Sequence, residues 1–334
     1  MKIKNFNLKK KVFIIAEVGN NHEGNFTLAK KLVRQAAKAG ADAVKFQTFK
    51  TENLIRKKDI KRFQQLKRFE LSYNQFKYLR KLAHKNKIKF ISTPLDLDSA
   101  DFLIKNADLI KIASADNNFY PLIDKVLKSK KPVIISTGMT NASQIRSLTN
   151  YIIKSIGKKG AEKRISLLHC VTSYPVEDKF ANLRSVEYLI KNSSLTIGYS
   201  DHTLGNEACI AAVTMGAKVI EKHFTINKKF SKFRDHALSA DYLDLRNLVA
   251  GIRKVEMQLG KLNKEIQKPE KKLIKKVRRA VYADKHILPG EKLGLKNIKF
   301  LRPSLTSNFN ILKKIIGRKI KKTFYKDQKI NLDI

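Results

Sequence analysis

Short apolar runs punctuate the first two-thirds of the chain, and a helical pattern follows each of them. The runs fall at residues 12–16, 41–46, 88–91, 109–112, 133–135, 165–168, 195–197 and 218–220. Between the first two, Leu28, Leu32, Val33 and Ala36 recur at the spacing of one helix face. Continuous apolar runs, as opposed to alternating ones, predict strands buried on both faces and hence a parallel sheet. Eight strand–helix units in series predict an α/β fold of the closed (β/α)8 TIM-barrel type. An open doubly wound sheet would carry a GxGxxG turn after its first strand. The segment Glu17-Val-Gly-Asn-Asn-His-Glu-Gly24 lacks that spacing.

The texture changes after the eighth unit. A last barrel helix is predicted from Tyr242 to Leu259, with Gly260 as its stop, so the barrel domain is placed at residues 1–260. Residues 261–278 are lysine-rich, contain Pro269 and read as a linker or an exposed helix. From Arg279 on, β-like segments at 280–283, 298–301 and 315–320 are broken by Leu288-Pro-Gly290 and Arg302-Pro303. They predict a small β-rich domain over residues 279–334.

The formal net charge of +41 would suit a partner such as nucleic acid or an anionic membrane surface. The lysines are spread along the chain, however, and no zinc knuckle, helix-turn-helix or aromatic RNA-binding motif accompanies them. The charge therefore reads as compositional bias that also supplies a field attracting anionic substrates. Neither nucleic acid nor a membrane is expected as a partner. The run at 12–16 is too short for a secretory h-region and meets Glu17 at once. Cys170 and Cys209 have no CxxC spacing and sit in apolar sequence surroundings, which fits a reducing, cytoplasmic setting.

Catalytic groups of a TIM barrel sit at the C-terminal ends of its strands. Here every predicted strand ends in polar chemistry. The ends carry Glu17, Asn20, Asn21, His22 and Glu23; Lys45 and Gln47; Ser92 and Thr93; Lys111 and Ser114; Ser136 and Thr137; His169, Thr172, Ser173 and Tyr174; Ser200, Asp201 and His202; and Glu221, Lys222 and His223. A polar residue after one strand is most often a loop cap; eight such ends in succession point to a site. Lys45 and Lys111 lie inside apolar runs, where a lysine is costly unless a charge or ligand meets it. With the Ser and Thr hydroxyls they suit a phosphate and a carboxylate. His202 and His223, on adjacent strand ends, suit one divalent metal. Glu17 is placed to finish the metal shell or to act as a base. Strand alternation turns Glu221 and His223 inward and Lys222 toward the helices or a salt bridge. His84, His236 and His286 read as ordinary core or surface histidines.

These residues fall within longer segments that resemble the sialic acid synthase family, the N-acetylneuraminate synthases and their legionaminic and pseudaminic acid synthase relatives. The segments are Ile15-Ala-Glu-Val-Gly-Asn-Asn-His-Glu-Gly24, Ala43-Val-Lys-Phe-Gln-Thr48, Phe90-Ile-Ser-Thr-Pro94, Lys111-Ile-Ala-Ser114, Ser136-Thr-Gly-Met139, Leu168-His-Cys170 with Tyr174-Pro175, Gly198-Tyr-Ser-Asp-His-Thr203 and Ile220-Glu-Lys-His-Phe-Thr225. The stretch from Arg278-Arg-Ala-Val-Tyr-Ala283 to Arg302-Pro303 resembles the family's SAF (antifreeze-like) domain.

The resemblance implies condensation of phosphoenolpyruvate with an N-acylated hexosamine aldehyde and water, giving a nine-carbon 2-keto sugar acid and phosphate. N-acetylmannosamine is the expected acceptor type, with a diacetamido-dideoxy sugar as the alternative. The resemblance also implies a catalytic set of Glu17, Lys45 and Glu221. Phosphoenolpyruvate contacts fall on Lys45, Thr93, Lys111, Ser114, Thr172, Ser200 and Glu221, and metal ligands on His202 and His223. The metal implied is Mn2+, with Mg2+ or Co2+ as substitutes. Sugar contacts fall on Tyr174, Asp235 and Arg302 of the partner subunit, in a homodimer whose SAF domain crosses to the other barrel. Two departures stand out: Phe233-Arg-Asp-His236 lacks the family's prolines, and Ser304 replaces a glycine after Arg-Pro. A short loop over residues 51–69 is expected to shape sugar specificity.

Overall fold

A computed structural model describes residues 1–303 and 311–331. Two compact units divide the chain, Met1–Gly260 and Lys261–Ile334. The first is a closed, all-parallel barrel of β1 (Phe13–Gly19), β2 (Ala43–Thr48), β3 (Lys89–Pro94), β4 (Leu109–Ile112), β5 (Val133–Ser136), β6 (Ile165–Cys170), β7 (Thr196–Asp201) and β8 (Val219–His223). β8 pairs with β1 to close the ring. All eight predicted strands are present, each reaching one to four residues further toward its C-terminal end except β4, which matches.

Two-residue alternation sorts the side chains of each strand. Outward positions such as Ile14, Val44, Phe90, Ile110, Ile135, Ile165, Ile197 and Ile220 join one continuous core with the surrounding helices. Inward positions near the strand starts form a second cluster of Phe13, Ile15, Ala43, Ile91, Leu109, Ile134, Leu168 and Val219. Ile3 and Leu8 close its open end, and Phe6 meets Phe13 edge-on at 4.9 Å. This lower lumen is a packed plug, as expected for a barrel of eight strands. The helix Tyr242–Leu259 completes the unit, with Asp241 capping its first turn and Gly260 at φ 57° after its last.

The segment over residues 51–69 is not a loop. It holds the helices Thr51–Leu54 and Ile60–Phe69. Phe69 and Leu66 pack with Phe49, which anchors these helices over the end of β2.

The second unit contains the helix Lys268–Val277, the antiparallel pair β9 (Ala280–Ala283) and β10 (Ile298–Leu301), and a small core that includes Val281, Ile287, Leu293, Ile315 and Phe324. Residues 315–320 do not form the expected strand. Ile315 ends a helical turn, Gly317 takes φ 81°, and Lys319 makes only an isolated bridge to Lys292. A β-branched run interrupted by a left-handed glycine turns instead of extending. Ser304 lies outside the described residues. Among the described residues, no helix is long and apolar enough to cross a membrane.

Candidate active site

Two residues further along the same inward faces, apolar side chains give way to charge. Glu17 follows Ile15, Lys45 follows Ala43, Lys111 follows Leu109, and Glu221 follows Val219. Each of the four is at most 3% exposed. They meet across the lumen: Lys45 Nζ lies 3.0 Å from Glu17 and 3.5 Å from Glu221, and Lys111 Nζ lies 3.5 Å from the other Glu221 oxygen. Ser200 donates to Glu221 at 2.9 Å, and Lys45 donates to Thr93 at 3.4 Å. The two lysines predicted to need partners therefore have them.

The environment drives the two carboxyls apart. Burial pushes Glu17 up to about 7, against the pull of Lys45. Burial also acts upward on Glu221, but Lys111, Lys45 and the Ser200 hydrogen bond outweigh it and bring that carboxyl down to about 2. One group is poised to take or give a proton near neutrality, while the other stays ionised. Burial draws the Lys111 ammonium below its ordinary value, and the two carboxylates raise Lys45 despite its burial.

These groups line a cavity of about 530 Å³ at the C-terminal mouth of the barrel. Glu17, Lys45, Thr93, Lys111, Ser114, Thr172, Tyr174, Ser200, His202, Glu221, His223 and Asp235 all contribute to its wall. The predicted site residues of the barrel are thus brought together. Arg302 is an exposed residue of the second unit, directly after β10. Gly138 matters to the wall: a Cβ there would stand 2.2 Å from Thr172 Oγ1 and 2.7 Å from Ser114 Oγ. Its N–H donates to Ser114 at 3.1 Å, so glycine lets the backbone of the β5 loop reach the Ser114 and Thr172 hydroxyls.

His202 and His223 face one another with ring centroids 5.1 Å apart, and the Tyr174 ring lies 4.2 Å from His202. His202 Nδ1–H donates to the Val171 carbonyl at 2.7 Å, which fixes the orientation of the ring. Burial holds the His223 imidazole neutral, and its buried Nδ1 has no hydrogen-bond partner. Two oriented imidazoles on adjacent strand ends fit a divalent ion. Among the described residues, no set of three or more His, Cys, Asp or Glu side chains is disposed to hold one. The Glu17 carboxylate is turned to Lys45.

Several lining residues carried no predicted role. Asn20 donates to Gln47 at 2.8 Å; both were legible as strand-end polar groups. Arg62 and Gln65 come from the helix Ile60–Phe69, and Arg234 places its guanidinium 4.6 Å over the Tyr174 ring. Cys170 lines the polar cavity, and Cys209 Sγ lies 3.2 Å from Asp201. Neither cysteine has the purely apolar surroundings expected of it. His22 turns away from the site toward Phe46, and burial pushes it down to about 3.

A parallel barrel with paired buried lysines and carboxylates beside two imidazoles defines an enzyme that handles a small anion at its C-terminal mouth. The chain belongs to the NeuB family, which it matches over residues 32–264. It is 43% identical to an uncharacterized protein of Methanocaldococcus jannaschii, over 96% of this chain and 94% of that one. It is 37% identical to the N,N'-diacetyllegionaminic acid synthase of Campylobacter jejuni, over 96% of this chain and 99% of that one. The solved N-acetylneuraminic acid synthetase of Leptospira borgpetersenii superposes with a TM-score of 0.76 at 33% identity, covering 82% of this chain and 94% of its own. The chain is a transferase of the N-acetylneuraminate synthase type.

Proposed function

We propose that this enzyme condenses phosphoenolpyruvate with the open aldehyde form of an N-acylated hexosamine and water, yielding a nine-carbon 2-keto sugar acid and phosphate. The observation that carries the reading is the buried Lys45–Glu221–Lys111 arrangement, where two cations share one ionised carboxylate at the cavity floor. Two such cations, with the hydroxyls of Thr93, Ser114, Thr172 and Ser200 around them, suit a ligand bearing both a carboxylate and a phosphate.

The chain's own groups divide the work. Lys45 and Lys111 hold the two anionic ends and offset their charge. Carbon-3 of the enol bonds to the sugar's aldehyde carbon, and water adds to carbon-2. Phosphate then leaves by cleavage of the carbon–oxygen bond. Glu17, held near 7, orients that water and takes its proton. Glu221 remains ionised and keeps both lysines in place. His202 and His223 would hold a divalent ion, Mn2+ in the first instance. Once bound, such an ion supplies Lewis-acid polarisation of the sugar aldehyde. Tyr174 and Asp235, which both line the cavity, would meet the acceptor sugar. The second unit is read as an SAF domain, with Arg302 of the partner subunit reaching the sugar's acyl group in a homodimer.

The named relatives support a second choice of acceptor, a diacetamido-dideoxy sugar, because two N,N'-diacetyllegionaminic acid synthases match at 37% and 36% identity. An acceptor panel tests both. Purified enzyme with phosphoenolpyruvate and Mn2+ is given N-acetylmannosamine, its 6-phosphate and the diacetamido sugar, with released phosphate and product mass as readouts. Turnover with any of them supports the reading and ranks the acceptors. Absence of phosphate release with all three refutes it.

A further inference from the structure

The outward faces of β7 and β8 carry an ion pair that the chemistry above leaves unused. Outward residues of β7 run Ile197, Tyr199, Asp201, and those of β8 run Ile220, Lys222. The first members are packed into the core between barrel and helices. Only the last of each strand is charged, Asp201 at 0% and Lys222 at 2% exposure, and the strand register sets them side by side.

Lys222 Nζ donates to Asp201 Oδ2 at 2.6 Å and to the Thr203 carbonyl at 2.6 Å. Asp201 Oδ1 accepts from the Thr203 N–H and hydroxyl, each at 2.8 Å, and from the Tyr199 hydroxyl at 3.0 Å. Cys209 Sγ donates to Oδ2 at 3.2 Å. The residues on both sides of His202 are therefore tied to one ammonium group, and that ammonium belongs to the residue immediately before His223. The Val176 N–H adds a third tie by donating to the His202 carbonyl at 2.9 Å.

A fully buried ion pair is a poor device for stability, since an apolar pair of similar volume packs as well or better. What it supplies is a fixed geometry, with five hydrogen bonds converging on a single carboxylate. We infer that Asp201 and Lys222 are positioning residues that set the His202–His223 spacing and orientation for a divalent ion. Groups outside the ligand shell commonly hold imidazole ligands in this way. The inference rests on the proposed metal site and assigns the pair no contact with substrate.

The test compares the full-length wild type with the apolar double variant Asp201→Leu/Lys222→Met and with Lys222→Met alone. Free Mn2+ is measured by electron paramagnetic resonance during titration with Mn2+ alone, and thermal melting is followed in parallel. The double variant is expected to stay folded, melting somewhat below wild type because the Thr203 and Tyr199 donors lose their acceptor, while its Mn2+ dissociation constant rises about 10–100-fold. Lys222→Met leaves the Asp201 charge buried and is expected to lose melting temperature as well as affinity. A folded double variant that binds Mn2+ as tightly as wild type overturns the inference and leaves the metal site standing. A double variant that cannot fold also overturns it, because the pair would then be a stability element. A wild type that binds no divalent ion removes the metal site and the inference together.

Discussion

The lower and upper halves of the barrel lumen are built from the same eight strands and the same inward faces, yet they do opposite things. Phe13, Ile15, Leu109 and Val219 fill the lower half with close-packed apolar volume. One pleat further on, Glu17, Lys45, Lys111 and Glu221 fill the upper half with charges that answer one another at 3.0–3.5 Å. Two residues of strand separate stability from chemistry. The plug also serves the site: it keeps water out from below, so the lysine–carboxylate contacts act in a low-dielectric floor.

Substitutions at equal depth of burial can break this division. The largest stability effect is expected from Phe13→Ala, which empties ring volume from the plug and costs about 3–5 kcal/mol in denaturant unfolding. Phosphate release per folded molecule should survive it. Lys111→Met should do the reverse. It is expected to lower kcat/KM for phosphoenolpyruvate about 10²–10³-fold, with a much smaller change in unfolding free energy. If Lys111→Met destabilises the protein as much as Phe13→Ala, the upper half is structural and the division fails.

A smaller effect sharpens the contrast within the upper half. Glu17 holds its proton more tightly folded than unfolded, so its contribution to stability is full below about pH 4.5 and is lost as pH rises through about 7. Glu221 runs the other way: its contribution is present above about pH 4.5 and is lost as pH falls through about 2. Glu17→Gln is therefore expected to flatten the fall in melting temperature between about pH 5 and about pH 8. An unchanged slope in that window would mean Glu17 is not held near 7.

The lower half and the strand ends were legible in the sequence for one reason. Strands buried on both faces leave continuous apolar runs, so a charged residue within or just after such a run stands out. Lys45, Lys111 and Glu221 were visible on that ground, and His202 and His223 by their adjacency. What stayed hidden came from elements that do not end strands. Arg62 and Gln65 reach the cavity from a helix in a segment read as a loop, where no apolar run flags their direction. Arg234 sits on Tyr174 across a sequence distance that no local pattern encodes. The run at 315–320 failed for the opposite reason: its isoleucines look like a strand, and Gly317 turns the chain.

Oxygen labelling tests the central claim most directly. Phosphoenolpyruvate carrying ¹⁸O in the bridge between carbon-2 and phosphorus is turned over with the best acceptor, and the label is located by mass spectrometry. Water addition at carbon-2 followed by carbon–oxygen cleavage predicts that the bridge oxygen leaves entirely with the phosphate. Retention of the label in the 2-keto acid would contradict the account.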